Sequence, residues 1–485
     1  MTQLWSRFMR EANFIDGSWV GADSGTTVVV TNPANGEQIG TVPNSGAEET
    51  RRAIEAADRA FQTYSKTTSS QRAALLRKLH ALILEHREPL AQLLTLEQGK
   101  PLAEARGEID MSANYVLWFA EEARRTYGEI VPSPWPNREI LVTHAPVGVV
   151  GAITPWNFPS SMLARKIAPA LAAGCTLVVK PASQAPYSGL AWGVLCEMAG
   201  VPAGAVNIVT GSAGKIGGEI TSHRLVRKIT FTGSTSIGRV LMEQAARTVK
   251  KVSMELGGNA PFLVFDDADI DQAVEGAIAS KYRNSGQTCV CTNRFYVQAG
   301  VYDQFVEKLT ADTAKLKVGS GFDDGVTQGP LIDDKAVQGV EAFVADAVAK
   351  GGRVVLGGKR HALGGQFFEP TIIADATADM EFAQEEIFGP VAPVFRFETE
   401  AEAIALANDT EYGLACYFYS KDLGRAFRVS SALQYGIIGV NEGLITTEVA
   451  PFGGVKQSGV GREGGTYGIA DYLDIKYVCI GRLAG

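Results

Sequence analysis

The chain has 485 residues and a mass of 51.6 kDa, enough for about three domains. Hydrophobic residues make up 46% and charged residues 20%, which excludes an intrinsically disordered chain. The net charge of −8 and the pI near 5.4 argue against a nucleic acid or an anionic membrane as a partner, because both need clustered cations.

The six cysteines are too few for a disulfide framework in a chain of this length. They form no paired clusters of the kind that hold a metal, so no metal is expected. No stretch reaches the roughly 18 apolar residues of a membrane span. The N-terminus, with Arg7 and Arg10, lacks the apolar core of a signal peptide. A reducing, cytoplasmic setting is therefore expected.

The chain shows two different sequence patterns, one after the other. Residues 50–125 carry apolar side chains at helical spacing and are predicted to be helical, with an interruption at Pro101. After residue 146, short β-branched runs alternate with helical segments. The predicted strands are 147–153, 176–179, 206–209 and 229–232. This alternation predicts βαβ units and a parallel, doubly wound sheet.

A second α/β region is predicted after Pro261. Its predicted helices are 269–284, 302–315, 334–350 and 400–408, and its predicted strands are 295–297, 354–356, 394–397 and 436–440. The last residues, 474–480, read as one more strand. Since an isolated strand is only marginally stable, it is expected to pair elsewhere, on this chain or on another subunit.

Ligands of an open parallel sheet bind beyond the carboxyl ends of its strands, so the residues at those ends are informative. The first predicted strand is followed by residues 154–159, the second by Lys180, and the fourth by the loop 233–238. That loop could bring a pyrophosphate to a helix N-terminus. It lacks the GxGxxG spacing, however, and an ordinary capped turn explains it equally well. Lys180 could bind ribose or phosphate, or be a solvated surface lysine.

Two further residues could carry chemistry. Cys289 lies in a polar segment between a helix and a strand, where a thiolate would be nucleophilic; a small buried apolar residue is the alternative. Glu255 follows a short strand and precedes a Gly-Gly turn. It could act as a general base, or simply be a surface carboxylate or a helix cap.

Together these segments resemble one protein family. TPWNFP (154–159), KPAS (180–183), FTGSTSIG (231–238), MELGGN (254–259), GQTCVCTNR (286–294), EEIFGPV (385–391) and PFGGVKQSG (451–459) stand in the order found in the NAD(P)-dependent aldehyde dehydrogenase superfamily. The resemblance covers essentially the whole chain. It implies an α/β fold with a Rossmann-like cofactor domain, a catalytic α/β domain and a small oligomerisation β element.

The resemblance implies a role for each catalytic residue. Cys289 would add to the aldehyde carbon as a thiohemiacetal, and the thioester left after hydride transfer would be hydrolysed to the acid. Asn157 and the Cys289 backbone N–H would form the oxyanion hole. Glu255 would activate the hydrolytic water. Glu463 matches a position suggested to relay protons, and a structural ion pair is its alternative.

The resemblance also implies a cofactor site. Lys180 and Glu386 would hold the two riboses. Ser183 stands where many NAD-preferring members have a glutamate, and the loss of that anion favours NADP, with NAD as a second cofactor. The other residues expected at the cofactor are Thr154, Pro155, Trp156, Gly233, Ser234 and Phe388.

Within the family the chain is most similar to the succinate-semialdehyde dehydrogenases, through its Cys-Val-Cys segment and two arginines. Arg165 and Arg283 would clamp the terminal carboxylate of a semialdehyde, with Phe452 and Thr446 beside them. Each arginine could instead form an interhelix salt bridge. The family often has serine where Thr446 aligns, which leaves glutarate semialdehyde as a credible substrate. A dehydrogenase of broad specificity and a non-catalytic protein of the same fold are the remaining alternatives.

Cys291 could form a regulatory disulfide with Cys289, or merely pack in the interior. The expected domains are a cofactor-binding domain of 1–127 and 149–260, a catalytic domain of 261–445, and oligomerisation and bridging segments of 128–148 and 446–485. Family members usually assemble as homodimers or homotetramers, and the same is expected here.

Overall fold

The computed structural model describes residues 4–481, so the outermost residues of the predicted domains, 1–3 and 482–485, lie outside it. The helices within residues 4–481 are α1 (Ala47–Tyr64), α2 (Ser69–Glu85), α3 (Arg87–Gln98), α4 (Leu102–Glu122), α5 (Ser161–Ala173), α6 (Pro186–Ala199), α7 (Ala213–Ser222), α8 (Thr235–Ala246), α9 (Ile270–Tyr282), α10 (Tyr302–Thr313), α11 (Asp334–Ala349), α12 (Glu400–Asn408) and α13 (Leu423–Ala432). No helix of this part of the chain has the length and apolar character to cross a membrane.

Strands occupy both halves of the same stretch. They are β1 (Asn13–Ile15), β2 (Ser18–Val20), β3 (Thr27–Thr31), β4 (Gln38–Pro43), β5 (Glu129–Val131), β6 (Arg138–Pro146), β7 (Val149–Ile153), β8 (Thr176–Lys180), β9 (Val206–Ile208), β10 (Val226–Thr232), β11 (Lys251–Glu255), β12 (Ala260–Val264), β13 (Thr292–Gln298), β14 (Arg353–Leu356), β15 (Thr371–Ala374), β16 (Val391–Phe397), β17 (Ala415–Tyr419), β18 (Ile437–Val440), β19 (Gly459–Val460) and β20 (Leu473–Gly481).

The first sheet has eight strands in the order β19-β11-β10-β7-β8-β9-β1-β2. Strands β11, β10, β7, β8 and β9 run parallel, and the outer strands pair antiparallel. Strands β8 and β9 are buried along their whole length, as expected of a parallel sheet covered on both faces. The predicted doubly wound sheet is confirmed.

The chain order reverses at β7, because β8 and β9 lie on one side of it and β10 and β11 on the other. The register aligns the strand ends at this place. Ile153 lies opposite Lys180 and Phe231, and Thr232 lies opposite Glu255. The carboxyl ends of four neighbouring strands therefore meet at one edge, around the switch point where open α/β sheets bind ligands.

The second sheet has seven strands in the order β14-β15-β16-β13-β12-β17-β18, all parallel except β14. Four residues, 256–259, connect β11 of the first sheet to β12 of the second. Strand β13 begins at Thr292, so Cys289 lies just before it, against this connection. A Cβ added at Gly258 would lie 2.4 Å from the Cys289 carbonyl oxygen, so only glycine fits this close approach.

The terminal strand β20 pairs antiparallel with β6 over nine residue pairs, and β6 also pairs with β5. The structure thus pairs the last strand within its own chain. Because β20 lies at the edge of this sheet, β6 satisfies the backbone groups on one side of the strand only, and a contact of its other edge with another subunit stays a prediction. The segment 128–148, predicted as part of the oligomerisation element, contributes β5 and β6 to one small sheet with the C-terminal strand.

Helix ends follow local chemistry. The side chains of Asp269, Asp333 and Thr399 accept hydrogen bonds from the first turns of α9, α11 and α12. The helix predicted over 269–284 ends at Tyr282, because Asn284 and Ser285 adopt left-handed φ values of 51° and 57°. This break turns the chain toward Cys289.

Candidate active site

A cavity of about 660 Å³ opens at the carboxyl edge of the first sheet. Eleven of the predicted residues line it: Thr154, Pro155, Trp156, Asn157, Lys180, Ser183, Gly233, Ser234, Cys289, Glu386 and Phe388. Seven are not among its lining residues: Arg165, Glu255, Arg283, Cys291, Thr446, Phe452 and Glu463. The structure therefore brings the expected cofactor residues and the thiol together in one cavity.

Apolar residues that the sequence analysis missed complete the wall. Helices α7 and α8 contribute Gly217, Ile237 and Leu241, and Met162 comes from α5. No sequence signal could have marked them, because an amphipathic helix has the same pattern whether its apolar face covers a core or a ligand.

Lys180 ends β8 with its ammonium group turned along the loop that follows. Its Nζ donates to the Pro181 carbonyl at 3.0 Å and to the Ser183 hydroxyl at 3.3 Å. Burial lowers the pKa of Lys180 to about 8. No carboxylate pairs with this lysine among residues 4–481, so an anionic or hydroxyl-rich ligand fits beside it.

The N-terminus of α8 faces the same cavity. Ser234 precedes the helix, and its side chain makes no capping bond to the first turn. Gly233 packs so tightly on Phe231 that an added Cβ would lie 2.4 Å from the ring. The Gly233 N–H donates to the Glu255 carbonyl at 3.0 Å, and the dipole of α8 favours a negative charge at the start of the helix.

Cys289 is partly exposed, and its exposed part faces the cavity. Burial is the main cause that raises the pKa of this thiol to about 12, and the Glu386 and Glu255 carboxylates add to it. The charge of Arg165 acts in the opposite direction. The thiol is therefore neutral in the ligand-free site, and attack on a substrate requires a base or an added positive charge.

Asn157 is held from several sides. Its side-chain Nδ2 donates to the Gln287 backbone carbonyl at 3.0 Å. Its backbone carbonyl accepts from Lys100 Nζ at 2.7 Å and from Asn284 Nδ2 at 3.0 Å. An amide nitrogen carries two hydrogens, so one remains to donate into the cavity. Lys100, paired with Glu108 at 2.7 Å, is a positioning residue that the sequence analysis missed, because its partner Asn157 is 57 residues away.

Glu255 belongs to a buried charge cluster with Lys166, Glu463 and Arg165. Lys166 Nζ contacts Glu463 Oε1 at 2.5 Å and Thr232 Oγ1 at 2.6 Å. Burial, and then the Glu463 charge, raise the pKa of Glu255 well above its ordinary value, while Lys166 and Arg165 oppose the rise. Glu255 Oε2 has no hydrogen-bond partner. Both predicted carboxylates therefore lie in one buried charge cluster, with Lys166 as a further member that the sequence analysis missed.

Arg165 is buried with spare hydrogen-bonding capacity. Its guanidinium lies 4.4 Å from the Phe452 ring centroid and 4.7 Å from that of Tyr115, and Nη1 lies 3.9 Å from Glu463. Its Nε and Nη1 have no hydrogen-bond partner. The salt bridge named as its alternative is thus long and leaves two donors free, and buried donors in this state fit an anionic ligand.

Arg283 lies over the Phe158 ring at 5.0 Å and forms no ion pair with any described residue from 4 to 481. With Thr446 and Cys291 it lines a small void behind the thiol segment. Cys291 itself is buried, and its Sγ donates to the Lys281 carbonyl at 3.4 Å. Both cysteines are free thiols here, and a regulatory disulfide between them stays a prediction.

The cavity at the switch point of the first sheet, where open α/β sheets bind nucleotides, also contains the Cys289 thiol. This combination defines an oxidoreductase of the α/β class. The chain belongs to the aldehyde dehydrogenase family, whose sequence model matches residues 19–478. This confirms the fold and the family that the seven motifs predicted.

Individual relatives match over nearly the full length. The chain is 60% identical over 476 residues to a glutarate-semialdehyde dehydrogenase of Pseudomonas aeruginosa, covering 98% of this chain and 99% of the relative. It is equally 60% identical over 476 residues to an NADP(+) succinate-semialdehyde dehydrogenase of Escherichia coli, with the same coverage. A crystal structure of succinate-semialdehyde dehydrogenase from Burkholderia pseudomallei superposes with a TM-score of 0.98 at 57% identity, covering 98% of this chain and 99% of that one.

Proposed function

We propose that the protein oxidises succinic semialdehyde to succinate, with NADP as the preferred cofactor and NAD as a second one. The proposed substrate rests on one observation, the state of Arg165. Its guanidinium is buried with two nitrogen atoms that have no hydrogen-bond partner, and its positive charge acts against the rise in the pKa of the Cys289 thiol that burial causes. A four-carbon chain with an aldehyde at one end and a carboxylate at the other would bridge these groups. The succinate-semialdehyde dehydrogenases among the relatives support the same substrate.

The residues of the cavity fit a nicotinamide dinucleotide. Lys180 and Ser183 would bind the adenosine ribose and its 2′-phosphate, the turn at Gly233 and Ser234 would face the pyrophosphate, and Glu386 would bind the nicotinamide ribose. The Thr154 hydroxyl is buried without a partner and could donate to the ligand. When bound, the cofactor supplies a two-electron acceptor for the hydride.

Cys289 would carry the substrate through oxidation. The thiol passes its proton to the water that reaches the open cavity, its sulfur adds to the aldehyde carbon, and the carbonyl electron pair moves to oxygen. The spare N–H of Asn157 stabilises that oxyanion, a donor whose loss slows such enzymes roughly 10²- to 10³-fold. The hydrogen on carbon leaves with its electron pair, the oxyanion collapses, and a thioester remains on Cys289.

Hydrolysis would then return the thiol. A base takes a proton from water, the hydroxide oxygen adds to the thioester carbon, and the C–S bond breaks to release the acid and the thiolate. Glu255 is the base that we propose. Glu463 would accept the proton that Glu255 must pass on, because the two carboxylates interact within one buried charge cluster.

The pH dependence tests this role. Burial and the neighbouring Glu463 charge raise the pKa of the Glu255 carboxyl, and only its deprotonated form is a base. We expect kcat to rise with pH through that pKa. Glu255→Gln should lower kcat by about 10²- to 10⁴-fold and abolish this rise. Stopped-flow measurement should still show one rapid turnover per site, since only hydrolysis is blocked; loss of the burst as well would contradict the assignment.

The cofactor preference is tested at Ser183. A glutamate there would repel a 2′-phosphate and accept hydrogen bonds from ribose hydroxyls, while Lys180 would then have a carboxylate beside it. We expect Ser183→Glu to lower kcat/KM with NADP by about tenfold to 100-fold and to spare or raise kcat/KM with NAD. Ser183→Ala is the matched control: it removes the hydroxyl without adding a charge, so it should lower kcat/KM with NADP less than Ser183→Glu does. An unchanged NADP/NAD ratio in Ser183→Glu would overturn the preference.

The decisive experiment compares kcat/KM for succinic and glutaric semialdehyde, each with NADP and with NAD, alongside butanal as a neutral aldehyde. The proposal requires succinic semialdehyde with NADP to be the best combination. Glutarate semialdehyde is the second candidate, because Thr446 lies beside Arg283 and one relative at 60% identity has that substrate in its name. Equal turnover of butanal would indicate broad specificity, and no turnover of any aldehyde would indicate a non-catalytic protein.

The domain division follows from the same proposal. The first sheet would belong to the cofactor domain, the second sheet to the catalytic domain, and the sheet of β5, β6 and β20 to the oligomerisation element. Ile130, Ile475 and Tyr477 are exposed apolar residues on this small sheet, which supports an assembly into dimers or tetramers. The cytoplasmic setting stays a prediction from cysteine usage.

A further inference from the structure

Glu386, the residue proposed to bind the nicotinamide ribose, lies in a segment without helix or strand structure. It follows the short 3-10 helix Glu381–Ala383 and precedes β16. Its Oε1 accepts a hydrogen bond from the Gly258 N–H at 3.3 Å, and burial raises the pKa of its carboxyl to about 8. A carboxylate that must meet a ligand from such a segment depends on whatever fixes its backbone.

One side chain fixes that backbone on both sides of Glu386. Asn293, in β13, donates from Nδ2 to the Glu385 carbonyl at 3.0 Å, and its Oδ1 accepts from the Ile387 N–H at 2.9 Å. The same Nδ2 also reaches the Phe382 carbonyl at 3.1 Å. The residues immediately before and after Glu386 are thus held by the two ends of one amide.

Asn259 closes the network on the other side of Glu386. It accepts from Asn293 Nδ2 at 2.7 Å, and its own Nδ2 donates to the Ala383 carbonyl at 3.1 Å. Its neighbour along the chain is Gly258, which binds the Glu386 carboxylate. The buried Arg294 holds the Asn259 carbonyl at 3.0 Å. The backbone of Glu386 and the donor to its side chain are therefore tied to the same pair of amides.

We propose that Asn293 is the positioning residue for Glu386, and that it acts on cofactor binding solely through that carboxylate. This rests on the proposed function, in which Glu386 holds the nicotinamide ribose. The side chain at position 293 must accept a hydrogen bond from Ile387 and donate hydrogen bonds to Glu385 and Asn259 at the same time. Only an amide can do both. Aspartate has no donor and would place a charge against carbonyl oxygens, and alanine leaves all of these groups unpaired.

The test is a double-mutant cycle between Asn293→Ala and Glu386→Ala, read by the Kd for NADPH from its fluorescence. We expect Asn293→Ala to raise Kd about tenfold in the wild-type chain and less than about twofold in the Glu386→Ala background. Amide hydrogen exchange of the peptide spanning 384–390, without cofactor, should become faster in Asn293→Ala. Asn293→Ser, which keeps one donor and acceptor, should restore part of the affinity.

Asn207 provides the matched control. It is also buried, donates to the Leu177 and Gly204 carbonyls and accepts from the Asp16 N–H, all away from Glu386. Asn207→Ala should lower thermal stability to a similar degree and leave both Kd and the exchange of 384–390 unchanged.

Two outcomes overturn the inference. One is an equal loss of NADPH affinity from Asn293→Ala in both backgrounds, which would mean that Asn293 supports the cavity in general. The other is unchanged exchange at 384–390. If Asn293→Ala does not fold, the same cycle with Asn293→Ser gives the answer. A wild-type chain that binds NADPH but oxidises no semialdehyde defeats the proposed substrate alone, whereas one that does not bind NADPH defeats both.

Discussion

Replacing Cys289 by alanine is expected to lower kcat by about 10⁴-fold or more, because no other described residue lining the cavity offers a thiol to form the covalent intermediate. The Cys289→Ala chain should still bind NADPH, with a Kd within about threefold of wild type, since the side chain forms only part of the cavity wall. Stopped-flow absorbance at the NADPH band measures the first turnover directly, and it should show no burst.

A second thiol variant separates chemistry from folding. Cys196 is fully buried in α6, away from the cavity lining, and Cys196→Ala removes a thiol of the same size. Its effect should be confined to thermal stability, with kcat close to wild type. Residual burst kinetics in Cys289→Ala would show that another group forms the acyl intermediate, and would end the assignment on which the proposed reaction depends.

The strands that position the site could be predicted, since β7, β8 and the second half of β10 are short, β-branched-rich runs bounded by turn signals and are largely buried. Strands β12, β15 and β17 of the second sheet were missed. Short apolar runs such as Thr371–Ala374 have no period that separates a buried strand from a turn of buried helix. The break after α9 was missed as well, because the left-handed backbone at Asn284 and Ser285 is set by contacts with distant residues such as Gln98 and Gly329.

The site residues divide in the same way. Those at strand ends, such as Lys180 and Asn157, are marked by polar or Gly- and Pro-rich segments that interrupt an apolar pattern, and the family motifs add their roles. Lys166 and Asn293 carry no such mark. Lys166 lies in the middle of a buried helix, 297 residues from Glu463, and Asn293 lies 92 residues from Glu385. Contacts between residues this far apart in the sequence form only when the whole chain has folded.

Substitution of Arg165 and substitution of Arg283 do not test substrate binding equally well, because the two side chains differ in their other contacts. Arg165 touches Glu463 and two aromatic rings, so its removal would also disturb the buried charges around Glu255. Arg283 has no ion pair among residues 4–481 and lies over a single ring. A guanidinium without a carboxylate partner is costly to hold in a partly buried place unless a ligand anion completes it. Arg283 is therefore the better probe of the carboxylate clamp.

Arg283→Ala is expected to lower kcat/KM for succinic semialdehyde by roughly 10²- to 10³-fold, mostly through KM, because charge-assisted hydrogen bonds to the substrate carboxylate are lost. Turnover of butanal, which has no carboxylate, should change less than about threefold. Arg360→Ala is the matched control, since Arg360 is satisfied by Glu341 and Asp334 on the surface and should alter neither substrate. Steady-state rates with both aldehydes and saturating NADP measure the ratio. A parallel fall for butanal would mean that Arg283 supports the thiol segment rather than the substrate, and the semialdehyde specificity would then have to come from Arg165 alone.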